Sequence, residues 1–121
     1  MKIFKCEHCK NIATLLDDKH VPLVCCGAKM VEMTEASAVG APEKHTPEMT
    51  KGNTIKISVG EVEHPMTEEH LIVFVALETS KGMQVKYLKA NDKPVVEFAL
   101  ADGEEYVAAY AYCNLHGLWK I

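Results

Sequence analysis

The chain has 121 residues, with 13 basic side chains, all lysine, against 17 acids, for a formal net charge of −4. Beyond residue 40, eight lysines face twelve acids, so no basic surface is offered to a nucleic acid. Apolar runs such as Leu71–Leu77 and Val107–Cys113, seven residues each, are far too short to cross a bilayer, and a soluble protein is expected.

That length suits one domain, or a domain of about 80 residues plus a smaller unit that needs a staple. The cysteines favour the second arrangement. Four of the five, Cys6, Cys9, Cys25 and Cys26, lie within the first 26 residues, where apolar content is too thin for an independent core. A metal would make up the deficit. The start of the chain, with Lys2, Phe4, Lys5 and Glu7, contains no apolar signal-peptide core, so a cytoplasmic location is expected. Thiols there stay reduced and read as metal ligands rather than disulfides.

This front segment opens with Ile3-Phe4-Lys5-Cys6-Glu7-His8-Cys9 and closes with Val24-Cys25-Cys26-Gly27, and reads as short strands joined by turns. Four thiolates close a tetrahedron around zinc or iron, and spacing alone does not choose between the two. A zinc ribbon would repeat the two-residue gap in its second half, whereas here Cys25 and Cys26 are adjacent. Adjacent strand residues face opposite ways, so one ion takes both only if the backbone bends between them, with Gly27 helping the bend. His8 and His20 are expected on the surface, because four cysteines already complete a site. From Glu32 to Pro42 the chain turns small and polar and reads as a linker. The expected division is 1–36, a four-cysteine domain with the start of the linker, and 37–121.

Beyond the linker the pattern has period two. Ile55, Ile57 and Val59 alternate with Lys56 and Ser58, and Met83, Val85 and Tyr87 with Gln84 and Lys86, which predicts half-buried strands. Leu71–Leu77 and Val107–Cys113 are apolar on both faces, as central strands are, and Val95–Leu100 makes another. Ser80-Lys81-Gly82, Asn91-Asp92-Lys93-Pro94 and Ala101-Asp102-Gly103 separate them as turns. Five or more short strands in about 80 residues, with no convincing helix, predict an all-β chain with a small antiparallel sandwich.

Four of the six histidines, His45, His64, His70 and His116, fall in this second part beside turns or at the edges of apolar runs. Cys113 and His116 share the turn Cys113-Asn114-Leu115-His116, which Gly117 lets the chain leave. A lone histidine at a strand end is ordinarily a surface residue, and a lone cysteine ending an apolar strand is ordinarily a small buried hydrophobe. Together they form one constellation. Four neutral imidazoles and a thiolate would fill five positions of an octahedron and leave one open, a set that suits iron better than zinc, which usually stops at four ligands. Lys44, beside His45, is placed to draw a small anion through an otherwise acidic field.

Pro42-Glu43-Lys44-His45-Thr46-Pro47, His64-Pro65-Met66, His70 and Cys113-Asn114-Leu115-His116-Gly117 together resemble the superoxide reductases. The front end resembles the desulforedoxin-like domain of that family's two-iron branch, the desulfoferrodoxins. The resemblance covers nearly the whole chain, with every expected ligand present. It implies an immunoglobulin-like sandwich carrying an active iron with His45, His64, His70 and His116 in its equatorial plane and Cys113 axial. It implies a rubredoxin-type iron at Cys6, Cys9, Cys25 and Cys26. The implied reaction is one-electron reduction of superoxide to hydrogen peroxide, without dismutation. Glu43 would then close onto the ferric ion after turnover, and Lys44 would draw in superoxide and organise a proton-donating water. A homodimer and an external donor such as rubredoxin are also implied. Three other readings remain at this level: an electron carrier using only the thiolate iron, a zinc-stapled interaction module, and a metal hydrolase. The hydrolase is weakened by the thiolate and fifth ligand, since hydrolytic zinc normally has three protein ligands.

Overall fold

The computed structural model describes residues 1–34, 47–50, 54–60 and 62–120. The chain divides into two compact units, Met1–Thr34 and Glu35–Ile121. Every regular element among the described residues is a strand.

The front unit holds β1 (Ile3–Lys5), β2 (Ile12–Thr14), β3 (Val24–Cys25), β4 (Ala28–Lys29) and β5 (Val31–Met33). They form a three-stranded antiparallel sheet, in the order β2-β1-β5, and a two-stranded hairpin, β3-β4. Among the apolar side chains of this unit only Ile3 and Cys6 are buried, while Leu16 stays 91% exposed and Val21 and Val24 are exposed as well. Such a core is too small to offset the chain entropy of ordering the unit, as the composition implied. The linker begins later than its composition indicated. Glu32 and Met33 pair with Phe4 and Ile3 in β5, because an edge strand accepts polar residues on its open side.

The second unit contains β6 (Pro47–Thr50), β7 (Thr54–Val59), β8 (Ile72–Thr79), β9 (Gly82–Tyr87), β10 (Val95–Ala99), β11 (Tyr106–Cys113) and β12 (Gly117–Lys120). Two antiparallel sheets, β10-β7-β6 and β12-β11-β8-β9, make the expected immunoglobulin-like sandwich. Ile55, Ile57, Val59, Val96 and Phe98 of the first sheet form one buried cluster with Ile72, Val75, Leu77, Ala109, Ala111 and Cys113 of the second. The alternation read in β7 is the alternation observed. β8 and β11 are the two inner strands of their sheet, and the outward-facing Phe74, Ala76, Tyr110 and Tyr112 are buried as well, as runs apolar on both faces imply.

One feature differs from the sequence reading, and a second was not read there. In β9 the period was right and the inward face was not: Tyr87 is 80% exposed and Val85 is exposed too. It is Gln84 and Lys86 that reach the opposite sheet, Gln84 Nε2 donating to the Ala99 carbonyl at 2.9 Å and Lys86 Nζ lying 5.6 Å from the Phe98 ring centroid. The ammonium head itself lies over the aromatic face, within cation–π range. The second feature is a bulge. Tyr112 pairs with Phe74 but Cys113 pairs with Ile72, so Val73 is an extra residue and Ile72 takes the core-facing position opposite Cys113.

At the end of the sandwich away from this bulge, the β8–β9 and β10–β11 loops are tied by Glu104. Its carboxylate accepts from Thr79 Oγ1 at 2.6 Å and from the Ala101 N–H at 3.1 Å. The Thr79 hydroxyl first, and then the Ala101 amide, hold the carboxyl below its ordinary pKa. A carboxyl depressed in the folded state contributes stability that is present above the unfolded value and lost as pH falls through the folded one. Glu104→Gln is therefore expected to lower the sandwich melting temperature at pH 7, and the gap from the parent should close as the pH is brought below about 4. An equal gap at both pH values in calorimetry would show that the charge contributes nothing.

Candidate metal centres

The four front cysteines come from two tight turns. Between β1 and β2, the Cys6 N–H donates to the Asn11 carbonyl and the Lys10 N–H to the Cys6 carbonyl, both at 2.9 Å, with Lys10 at φ +68°. Inside that loop the Cys9 amide donates to Cys6 Sγ at 3.4 Å. Between β3 and β4 the two central residues are Cys26, at φ +53°, and Gly27, at φ +74°. Positive φ at both positions is a type I′ turn, whose twist suits a two-residue hairpin. The bend that adjacent cysteines require thus falls on Cys26 itself as well as on Gly27.

The result is a cluster in which all four Sγ atoms lie within 4.8 Å of one another. Cys9 and Cys25 are 3.6 Å apart, and Cys25 and Cys26 4.0 Å. A tetrahedron of thiolates at about 2.3 Å from one ion has edges of about 3.8 Å, so the sulfurs fit a single metal. All five cysteines of the chain are free thiols. The Cys9 amide holds the Cys6 thiol down to about 6, despite its burial, whereas hydrogen bonding to Cys9 and Cys6 pushes Cys26 up to about 12. Without a metal the cluster therefore favours one thiolate, and metal uptake must release the remaining protons. His8 and His20 are both exposed and stand apart from the cluster, His20 accompanying Asp18 with Nδ1 3.7 Å from Oδ2.

The second centre lies where β8 begins and β11 ends. His64 is on the β7–β8 connection, His70 precedes β8, Cys113 closes β11, and His116 is in the three-residue turn into β12. One donor atom from each of these four residues lies within 4.8 Å of the others. The imidazoles meet edge to face, with centroids 4.7 Å apart for His64–His70 and 4.9 Å for His70–His116. Their surroundings fix them individually. His64 Nδ1 is 2.7 Å from the Pro65 carbonyl, which can only accept, so the proton sits on Nδ1 and Nε2 keeps a lone pair for a metal. His70 is set by a turn in which its N–H donates to Thr67 Oγ1 at 3.1 Å and its carbonyl accepts the Thr67 N–H at 2.9 Å.

Cys113 is fully buried and His64 is 2% exposed. Burial pushes the Cys113 thiol up, and the backbone N–H groups of Leu115 and His116 pull it part of the way back. A buried thiolate needs a compensating positive charge, and a divalent ion among neutral imidazoles provides it. Three nitrogen donors and one soft sulfur fit iron. Glu43, Lys44 and His45 lie outside the described residues. The hydrogen-bonding role of Asn114 was not singled out in the sequence; its place inside the Cys113–His116 turn is the one signal that marks it.

A family model described as desulfoferrodoxin matches residues 36–121. Desulfoferrodoxin of Nitratidesulfovibrio vulgaris is 43% identical over 120 residues, 98% of this chain and 94% of that protein. Among solved structures, the superoxide reductase from Treponema pallidum superposes with a TM-score of 0.81 at 33% identity, covering 99% of this chain and 97% of that one. The single-iron superoxide reductase from Giardia intestinalis, 38% identical with a TM-score of 0.56, covers 65% of this chain and 95% of its own.

Gly27 tests the turn geometry. A β-carbon there would meet no atom within 4 Å, so any penalty comes from the left-handed backbone alone. Gly27→Ala is expected to cost the front unit about 1 kcal/mol, seen as earlier loss of its metal absorption in a denaturant titration, with Gly27→Asn recovering most of it. An unchanged midpoint for the alanine variant would show that the turn is not held at positive φ.

Proposed function

The chain belongs to the desulfoferrodoxin family, and on that premise we propose how its residues carry out the reaction of a superoxide reductase. The observation that carries the reading is the convergence of His64, His70 and His116 on the buried thiol of Cys113. The chain is an iron oxidoreductase. His64, His70, His116 and Cys113 would hold iron, which when bound would supply the one electron that, with two protons, converts superoxide to hydrogen peroxide.

The residues prepare that event in distinct ways. His64, its proton committed to Pro65, presents a neutral Nε2. Cys113 offers the most electron-rich donor, and its burial keeps water from competing for the sulfur. The Leu115 and His116 amides partly neutralise the thiolate, which limits how strongly it donates. We assign His45 as the fourth imidazole. Lys44 would attract the superoxide anion and order the water that supplies a proton, and the Glu43 carboxylate would enter once product has left. These three assignments rest on the family motif around His45.

At the front, Cys6, Cys9, Cys25 and Cys26 would hold the second iron of the two-iron branch, as the closeness of their sulfurs supports. Residues 1–36 would form the desulforedoxin-like domain and 37–121 the catalytic sandwich. A rubredoxin-like protein is the proposed electron donor and a homodimer the proposed assembly. No helix among the described residues is long and apolar enough to cross a membrane. Thiols kept as ligands suit a reducing compartment, which supports a cytoplasmic setting.

Metal analysis with optical spectra before and after oxidation tests the reading directly. Two irons per chain, and a thiolate-to-iron band that appears on oxidation, are expected; zinc alone with a featureless visible spectrum would defeat it. Cys113→Ser should lower the second-order rate with superoxide by more than about 100-fold and leave the front centre's colour, while Cys25→Ser should do the reverse. Lys44→Ala should slow the reaction about 2- to 10-fold and flatten its ionic-strength dependence in stopped-flow traces; an unchanged salt slope rules out steering by Lys44. Because imidazole ligands must be neutral, iron should leave the histidine centre once acid competes for the imidazoles below the ordinary histidine range, measured by chelator capture; retention in strong acid would argue against a four-histidine site.

A further inference from the structure

The turn that carries two ligands also grips the loop that carries a third. Asn114 directly follows Cys113 and stands two residues before His116. Its Oδ1 accepts the Leu71 N–H at 3.0 Å, and its Nδ2 donates to the Glu69 carbonyl at 3.0 Å. Its backbone N–H donates to the Leu71 carbonyl at 3.2 Å. The two side-chain bonds therefore fall on the residues immediately before and after His70. They also lie just beyond the last ladder pair, Ile72 with Cys113, where strand pairing no longer dictates the path of the chain.

We propose that Asn114 is the positioning residue of the histidine–cysteine centre, holding His70 at its place relative to Cys113 and His116. The inference rests on the metal reading above and adds to it the device that sets the spacing of ligands from two separate segments. A carboxamide is the one small side chain that offers a donor and an acceptor side by side, as the Glu69 carbonyl and Leu71 N–H require. Aspartate would keep the bond from Leu71 and turn a second acceptor toward the Glu69 carbonyl. Alanine would lose both. Glu69 is exposed and Leu71 and Asn114 are partly so, so water can replace these bonds in a variant. What water cannot replace is the fixed position of His70. Metal centres are sensitive to this kind of support, since groups that orient the ligands change affinity and spectra without touching the ion.

The test uses the full chain, iron-loaded, with Asn114→Ala, Asn114→Asp and Cys113→Ser beside the parent. Three quantities are read: the rate of iron transfer from the histidine centre to a competing chelator, the energy of the thiolate-to-iron band after oxidation, and the melting temperature of the sandwich. Asn114→Ala is expected to release iron about 10- to 100-fold faster and to shift the band, with the front centre's absorption unchanged and Asn114→Asp in between. Parent-like release and an unshifted band in Asn114→Ala would overturn the proposal. So would faster release that only tracks a lowered melting temperature, with the band unmoved. Should Asn114→Ala not fold, the aspartate variant decides by the same two readouts. Failure of the underlying metal reading looks different: the parent itself would show no band that Cys113→Ser removes, and the role of Asn114 would fall with it.

Discussion

The antiparallel pairing of β8 with β11 is the constraint on which the catalytic half depends. Its last rung sets Ile72 opposite Cys113, so the residues just before β8 and just after β11 must emerge at the same end of the same sheet. His70 is two residues ahead of that rung on one strand and His116 three residues beyond it on the other. Segments more than forty positions apart in the chain are thereby brought to one place by a hydrogen-bond ladder, and the turns beyond it set the donors. The bulge at Val73 belongs to the same mechanism. It turns Ile72 into the core beside Cys113, and bulges next to sites of chemistry commonly re-aim a strand in this way.

The two centres stand in opposite relation to their surroundings. In the sandwich, apolar side chains from both sheets pack into one cluster that includes the ligand Cys113, so burial holds the thiol where a metal needs it. This unit has an apolar core of its own apart from any ion. The front unit reverses the order: it buries Ile3 and Cys6 and leaves Leu16, Val21 and Val24 in water. Its sulfurs are assembled by local turns of a few residues, and the free energy of binding a metal to four thiolates substitutes for a core. One chain thus combines a site placed on a rigid scaffold with a scaffold assembled around a site.

Electrostatics separates them further. The front thiols are in tight turns where the Cys9 amide already favours a thiolate at Cys6. Cys113 is held up by burial and becomes a good ligand only when a cation arrives, its charge then moderated by the Leu115 and His116 amides. The first arrangement suits a closed set of four equal ligands. The second gives one distinctive donor among neutral imidazoles, which is the asymmetry a reactive centre requires.

Much of this was readable from residue types and spacing. The alternation of Ile55, Ile57 and Val59, the doubly apolar runs that became β8 and β11, the four front cysteines, and the gathering of His64, His70, His116 with Cys113 all follow from local chemistry, because periodicity and ligand type are properties of short segments. The inward face of β9 was not readable. Val85 and Tyr87 have the apolar character of core residues, yet register against β8 gives that place to Gln84 and Lys86, and no local signal reports register. The same limit hid the pairing of Glu32 and Met33 with β1, the bulge at Val73 and the grip of Asn114 on Glu69 and Leu71. Amino-acid sequence by itself determined which side chains could serve as metal donors and which segments are strands. Tertiary structure alone decided which strand edges meet, and so how closely the donors approach, because those distances arise from pairing between residues far apart in the chain.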